Sequence, residues 1–140
     1  MKILGIDLGS KTVGMAISDY LEIVATPIGT SNIEENNLQQ ALECVKIVVE
    51  EKQVEKIVLG LPKNMDGSCG YQSEYSLTFK KMLEDELKLP VFMLDERLTT
   101  RMAHNVMLQA DMSRNKRKKN VDKIAATIIL QTFLDTQPKH

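Results

Sequence analysis

Three short apolar runs separated by two amphipathic stretches constrain the fold of this chain more than any other feature. Ile3, Leu4, Ile6 and Leu8 mark the first run, Lys56–Leu61 the second and Val91–Leu94 the third. Near-continuous apolar runs of this length suit strands buried on both faces of a sheet. Between the first two, Leu38, Ala41, Leu42, Val45, Val48 and Val49 recur at helical spacing to about residue 52. Between the second and third, Tyr75, Phe79, Met82, Leu83 and Leu87 do the same, and Pro90 ends the pattern. A strand–helix–strand–helix–strand path implies parallel pairing with right-handed crossovers.

The remaining segments complete the expectation. Residues 2–8, 12–18 and 24–30 read as an antiparallel meander, with turns at Gly9-Ser10-Lys11 and Ser18–Glu22. Ser31-Asn32-Ile33-Glu34 has the form of a capping box before the first helix. Thr99 or Thr100 can cap a helix running to about Ala110, a cationic loop follows, and a last helix starts at Val121. Its apolar positions are Ile124, Ala125, Ile128, Ile129, Phe133 and Leu134. The expected architecture is an α/β fold: a mixed five-stranded sheet in the order βββαβαβαα, helices on both faces, and one domain over residues 1–140.

Composition narrows the function classes. No apolar run approaches the roughly 20 residues a membrane helix needs. The apolar N-terminal stretch is broken by Asp7 and lacks a small-residue cleavage site, so a cytoplasmic protein is expected. Cys44 and Cys69 form no metal-ligand pattern and are expected to be free thiols. The net charge of −1 carries no general signal for nucleic acid, but its distribution does. Arg114, Lys116, Arg117, Lys118 and Lys119 place five cations in six positions. Such runs are usually solvated surface, yet a dense cationic loop in a near-neutral domain also suits phosphate.

Asp7 is out of place in its apolar strand. A buried carboxylate costs several kcal/mol unless a cation or hydrogen-bond donors meet it. It either caps the Gly9-Ser10 turn or serves as a ligand at the strand end. If the three apolar strands run parallel, their carboxyl ends share the edge at which open α/β sheets bind ligands. Asp7 ends the first strand and Asp95-Glu96 end the last, so both reach that edge. Asp122 stands in the first turn of the last helix, where an acid favours the helix dipole by about 0.3–1 kcal/mol. It also interrupts the apolar start of a buried helix, between Val121 and Ile124-Ala125-Ala126. Carboxylates gathered at one edge repel unless a cation lies between them. An all-oxygen donor set favours Mg²⁺ or Mn²⁺, and such sites typically act on phosphodiesters. Strand alternation allows only one of Asp95 and Glu96 to reach the site directly; the other caps the following helix or supports the ligand from behind.

The residues carry a family resemblance. The matching segments are Gly5–Lys11 with Val13–Ala16, Ser18-Asp19, Gly60-Leu61-Pro62 with Asn64–Gly67 and Gly70, Leu94–Thr100, and Val121–Ala126. In this order the chain closely resembles the YqgF/RuvX family, whose fold is ribonuclease H-like. Its members are related to Holliday-junction resolvases and assigned to maturation of small-subunit ribosomal RNA. The resemblance implies metal-dependent nuclease chemistry with Asp7, Glu96 and Asp122 as the acidic triad, and favours Glu96 over Asp95. Two positions depart from the family pattern: Thr12 stands where Arg is usual, and Ser73 where Ala is common.

Residues and resemblance together set the expected site. Asp7, Glu96 and Asp122 hold Mg²⁺ or Mn²⁺, with Asp95 the competing ligand. Lys11, Lys63, Arg97, Arg114, Lys116, Arg117 and Lys118 hold the phosphate backbone. The expected substrate is pre-16S ribosomal RNA near its 5′ end, the expected partners nucleic acid and ribosomal precursor particles, and the expected state a monomer or weak homodimer. Three alternatives stand beside this: a resolvase of branched DNA, a non-catalytic RNA-binding assembly factor, and a nucleotide-binding module of the actin and sugar-kinase type. The last needs two domains closing over ATP, and 140 residues offer one. Aromatic content of 4% leaves little for base stacking, so recognition should follow backbone geometry.

Overall fold

The computed structural model describes residues 2–61, 71–95 and 114–136, with side chains at all of these except 71, 72, 95 and 114–124. Five strands form one sheet: β1 (Ile3–Leu8), β2 (Thr12–Ser18), β3 (Ala25–Asn32), β4 (Lys56–Leu61) and β5 (Val91–Asp95). Their spatial order is β3-β2-β1-β4-β5. The first three make the antiparallel meander, and β4 and β5 join β1 in parallel. The helices are α1 (Leu38–Lys52), α2 (Tyr71–Leu87) and α3 (Arg114–Thr136).

Alternation along β1 divides the core. Leu4, Ile6 and Leu8 join Ile57, Leu59, Ala41, Leu42, Val45, Phe79 and Leu83 on the face covered by α1 and α2. Ile3 joins Val58, Ala16, Ala126, Ile129, Leu130 and Phe133 on the face covered by α3. Helices on both faces explain why β1 and β4 read as continuous apolar runs, since neither strand has a wet side. Burial of Ile3, Leu4, Ile6, Ile57, Val58 and Leu59 is complete. Each such side chain contributes about 1.5–3 kcal/mol relative to exposure.

The amino end of β1 is finished by a side chain. Ser18 Oγ, buried at the end of β2, accepts the Ile3 N–H at 2.8 Å. The β2–β3 loop is then locked by Asp19, whose Oδ1 accepts the N–H groups of Ile23 and Val24 at 2.7 and 2.9 Å. Those two bonds to the charged form hold the Asp19 carboxyl below its ordinary value.

Two local features differ from the sequence reading. The Ser31–Glu34 capping box does not form, because β3 continues through Asn32, where Ser31 pairs with Val13 and Asn32 with Thr12. Asn37 caps α1 instead, its Oδ1 accepting the Gln40 N–H at 3.0 Å. The segment 114–119 is not a loop: α3 begins at Arg114, seven residues before the expected start. Lys and Arg are good helix formers, and no Gly or Pro interrupts the stretch to Thr136, so the cations extend the helix. The helix expected over 99–110 lies outside the described residues. Among the described residues, no helix is long and apolar enough to cross a membrane.

Candidate active site at the carboxyl edge of the parallel strands

The parallel register brings the expected acidic positions to one edge. Ile6 lies opposite Leu59 on β4, and Leu61 at the end of β4 lies opposite Asp95. Asp7 follows Ile6 and pairs with Gly14 across the hairpin. The ends of β1, β4 and β5 therefore share the carboxyl edge, as the sequence predicts. Asp7 is half-buried between the fully buried Ile6 and the nearly buried Leu8. By the period of two it shares its face with Ile3 and Gly5, the face covered by α3.

Gly5 determines how close α3 comes. A Cβ on Gly5 would stand 2.6 Å from the Leu130 Cβ and 3.0 Å from the Ala126 carbonyl oxygen. The backbone of α3 is thus seated directly on β1, and only glycine leaves room for it. The direction of α3 follows from Gln131. Its Oε1 accepts the Ala25 N–H and its Nε2 donates to the Ile23 carbonyl, each at 2.9 Å. Ala25 pairs with Ser18, which bonds Ile3, so Gln131 lies at the amino end of β1. The earlier turns of α3 consequently run toward the carboxyl end. Asp122 is one turn before Ala126 and is carried by this backbone toward Asp7.

Lys11 is exposed at the apex of the hairpin that follows Asp7. The Gly9 N–H donates to the Thr12 carbonyl at 2.8 Å, which closes the turn around Ser10 and Lys11. Arg114, Lys116, Arg117, Lys118 and Lys119 occupy the first turns of α3, before Asp122 on the same helix. Glu96, Lys63 and Arg97 lie outside the described residues, and the side chains of Asp95, Asp122 and the α3 cations are likewise not described.

The donors available at this edge are oxygens. Neither His nor Cys occurs in β1, β5 or α3. Carboxylates alone suit a hard divalent cation better than zinc or copper. Among the described residues no three His, Cys, Asp or Glu side chains converge, two of the three expected ligands being outside that set. Sequence reasoning missed the roles of Gly5 and Gln131. A glycine inside an apolar strand was the available signal for the first, since it commonly marks close backbone approach. Nothing in the sequence signalled the second.

Comparison with known proteins agrees with this geometry. The family model described as "RuvX: Holliday junction resolvase" matches residues 1–136. A Listeria monocytogenes protein is 49% identical over 136 residues, covering 97% of this chain and 99% of its own. Relatives from Clostridium beijerinckii (49% over 135 residues, 96% of each chain) and Natranaerobius thermophilus (47% over 137 residues, 98% and 96%) are similar. All three carry the name "Putative pre-16S rRNA nuclease". Among solved structures, the fowlpox virus Holliday junction resolvase superposes with a TM-score of 0.60 at 16% identity, covering 98% of this chain and all of that one. Thermus thermophilus RuvC bound to a Holliday junction substrate gives 0.57 at 14% identity, covering 97% of each chain. At these identities the structural likeness speaks for the fold, and it is the fold expected from the sequence. Matched in sequence from its first strand to the end of α3, the chain belongs to the RuvX family.

Proposed function

We propose that residues 1–140 form a single nuclease domain that hydrolyses phosphodiester bonds during 5′-end maturation of pre-16S ribosomal RNA in the cytoplasm. One observation carries the reading: the seating of α3 on Gly5, which directs the helix bearing Asp122 toward the strand end bearing Asp7. The names of the relatives supply the substrate class. In this reading Asp7, Glu96 and Asp122 hold Mg²⁺ or Mn²⁺. The resemblance to the family favours Glu96 over Asp95 as the ligand. A divalent cation held by these carboxylates would supply charge stabilisation for the hydrolysis of a phosphodiester.

The chain's own residues do the remainder. Asp7 lies half-buried on the β1 face that α3 covers, a partly shielded setting that favours a carboxylate prepared for its ligand. Lys11, Lys63, Arg97 and the cations of α3 hold the backbone of the nucleic acid. Because positions 114–119 are helical, those cations are spaced by the helix rather than scattered along a coil. The partners are pre-ribosomal RNA and its precursor particles, engaged by a monomer or weak homodimer.

The test is cleavage of a pre-16S RNA fragment and of a four-way DNA junction by the purified protein, each with Mn²⁺, Mg²⁺ or chelator. The proposal expects metal-dependent cleavage of the RNA that is lost in a folded Asp7→Asn variant. Cleavage of the junction alone would establish the resolvase alternative, which the shared fold with junction-bound RuvC favours. RNA binding without cleavage, indifferent to metal and to Asp7→Asn, would establish a non-catalytic assembly factor.

A further inference from the structure

The turn that carries Lys11 is built against its own preference. Gly9 and Thr12 flank a two-residue hairpin loop, Ser10-Lys11. Such loops favour types I′ and II′, which require positive φ at the first or both central residues and match the twist of the strands. Neither Ser10 nor Lys11 has positive φ. With negative φ the turn tends to splay β1 from β2, and something outside the hairpin must hold it.

The segment between β3 and α1 provides that hold. The Ile33 N–H donates to the Lys11 carbonyl at 2.8 Å, and the Asn36 N–H donates to the Ser10 carbonyl at 2.7 Å. Asn36 has φ +57°, so the left-handed conformation absent from the turn is found in its brace. That conformation reverses the chain and aims the Asn36 N–H at Ser10, and Asn adopts it far more readily than a β-branched residue does. Ile33 is buried against the α1 and α2 core, and Asn37 caps α1, so both ends of the brace are anchored.

We propose that Asn36, acting through the Ser10 carbonyl, is a positioning residue that holds the Lys11 turn in register beside Asp7 for backbone phosphate. The proposal rests on the nuclease reading and on Lys11 as a substrate contact. The family positions that carry the acids do not include this brace, and its effect is on substrate engagement rather than on metal.

The experiment is a double-mutant cycle on the full chain: Lys11→Ala, Asn36→Val and both together, with Asn36→Gly as the conservative variant and Asp7→Asn as a parallel control. Cleavage of the RNA fragment and binding across a salt series are measured. Lys11→Ala should raise KM several-fold and flatten the log–log salt slope by about 0.7, the share of one phosphate contact on a single strand. Asn36→Val should reproduce both changes with kcat at saturating substrate nearly intact. Asn36→Gly should restore wild-type behaviour, and the double variant should be no worse than Lys11→Ala alone. A wild-type KM and salt slope in Asn36→Val, while Lys11→Ala is impaired, overturns the proposal. So does an additive double variant, which would mean that Asn36 acts on stability or on another contact. If Lys11→Ala itself changes nothing, the substrate path fails and the brace with it; unimpaired cleavage by Asp7→Asn instead strikes the metal reading alone.

Discussion

Substituting Gly5 by Ala tests the geometry on which the candidate site depends. Ordinary carbon–carbon contacts lie at about 3.5–4.0 Å. The added methyl would meet the Leu130 Cβ at 2.6 Å and the Ala126 carbonyl oxygen at 3.0 Å. The obstacle is helix backbone and its first side-chain carbon, neither of which can rotate away. The relief available is a lift of α3 by about 1 Å, the shortfall against a normal contact. Overpacking of this kind costs about 1–3 kcal/mol. For a domain of this size that lowers Tm by roughly 3–10 °C. The effect on activity should be larger, because the lifted helix bears Asp122 and a misplacement of about 1 Å near a reacting centre costs on the order of 10²-fold. The assay pairs thermal unfolding with metal-dependent cleavage, the latter well below the variant's Tm. A folded Gly5→Ala protein with lowered Tm and disproportionately lost cleavage is the expected result. Unchanged Tm with undiminished cleavage would falsify the claim that α3 is seated on β1 and carries a catalytic carboxylate there.

Three further outcomes are expected. Ser18→Ala leaves the buried Ile3 N–H without its acceptor and should destabilise by about 1–3 kcal/mol in urea unfolding, with activity retained at permissive temperature. Asp19 is held below its ordinary value of 3.8, so its stabilisation is present at neutral pH and fades as pH falls through the lowered folded value. The Tm difference between wild type and Asp19→Ala should therefore shrink in strong acid, and a difference that grows on acidification would contradict this. Replacing Lys116, Arg117 and Lys118 with Ala should flatten the salt dependence of RNA binding by up to about two units, similarly across sequences, and leave metal affinity nearly unchanged.

Much of the fold is legible in the sequence because burial on both faces leaves little ambiguity. The apolar runs of β1, β4 and β5 and the two amphipathic stretches between them yield the parallel core directly. The edge shared by Asp7 and Asp95 follows from that path alone. Local signals were weaker. Ser31-x-x-Glu34 fits a capping box, yet pairing with β2 holds Ser31 and Asn32 in strand, and Asn37 takes the cap. Strand pairing supplies several hydrogen bonds where a cap supplies one or two, so the ladder prevails. The cation run resembled a loop because charge density suggests solvation, whereas helix propensity and the absence of breakers extend α3 to Arg114. The β1–β2 turn lacked any sequence sign of its brace, since Asn36 lies far along the chain and contacts Ser10 through backbone.

The central claim is that carboxylates from β1, the end of β5 and α3 together hold a divalent cation. Titration of Mn²⁺ into the purified protein by calorimetry addresses it without relying on a substrate. Asp7→Asn, Glu96→Gln and Asp122→Asn should each abolish binding while the protein stays folded, because each removes a direct ligand. Asp95→Asn should weaken it by about 10–100-fold, as loss of a group behind the ligands does. Full Mn²⁺ affinity in folded Asp7→Asn or Asp122→Asn would contradict the account, and abolition by Asp95→Asn with retention by Glu96→Gln would move the ligand to Asp95.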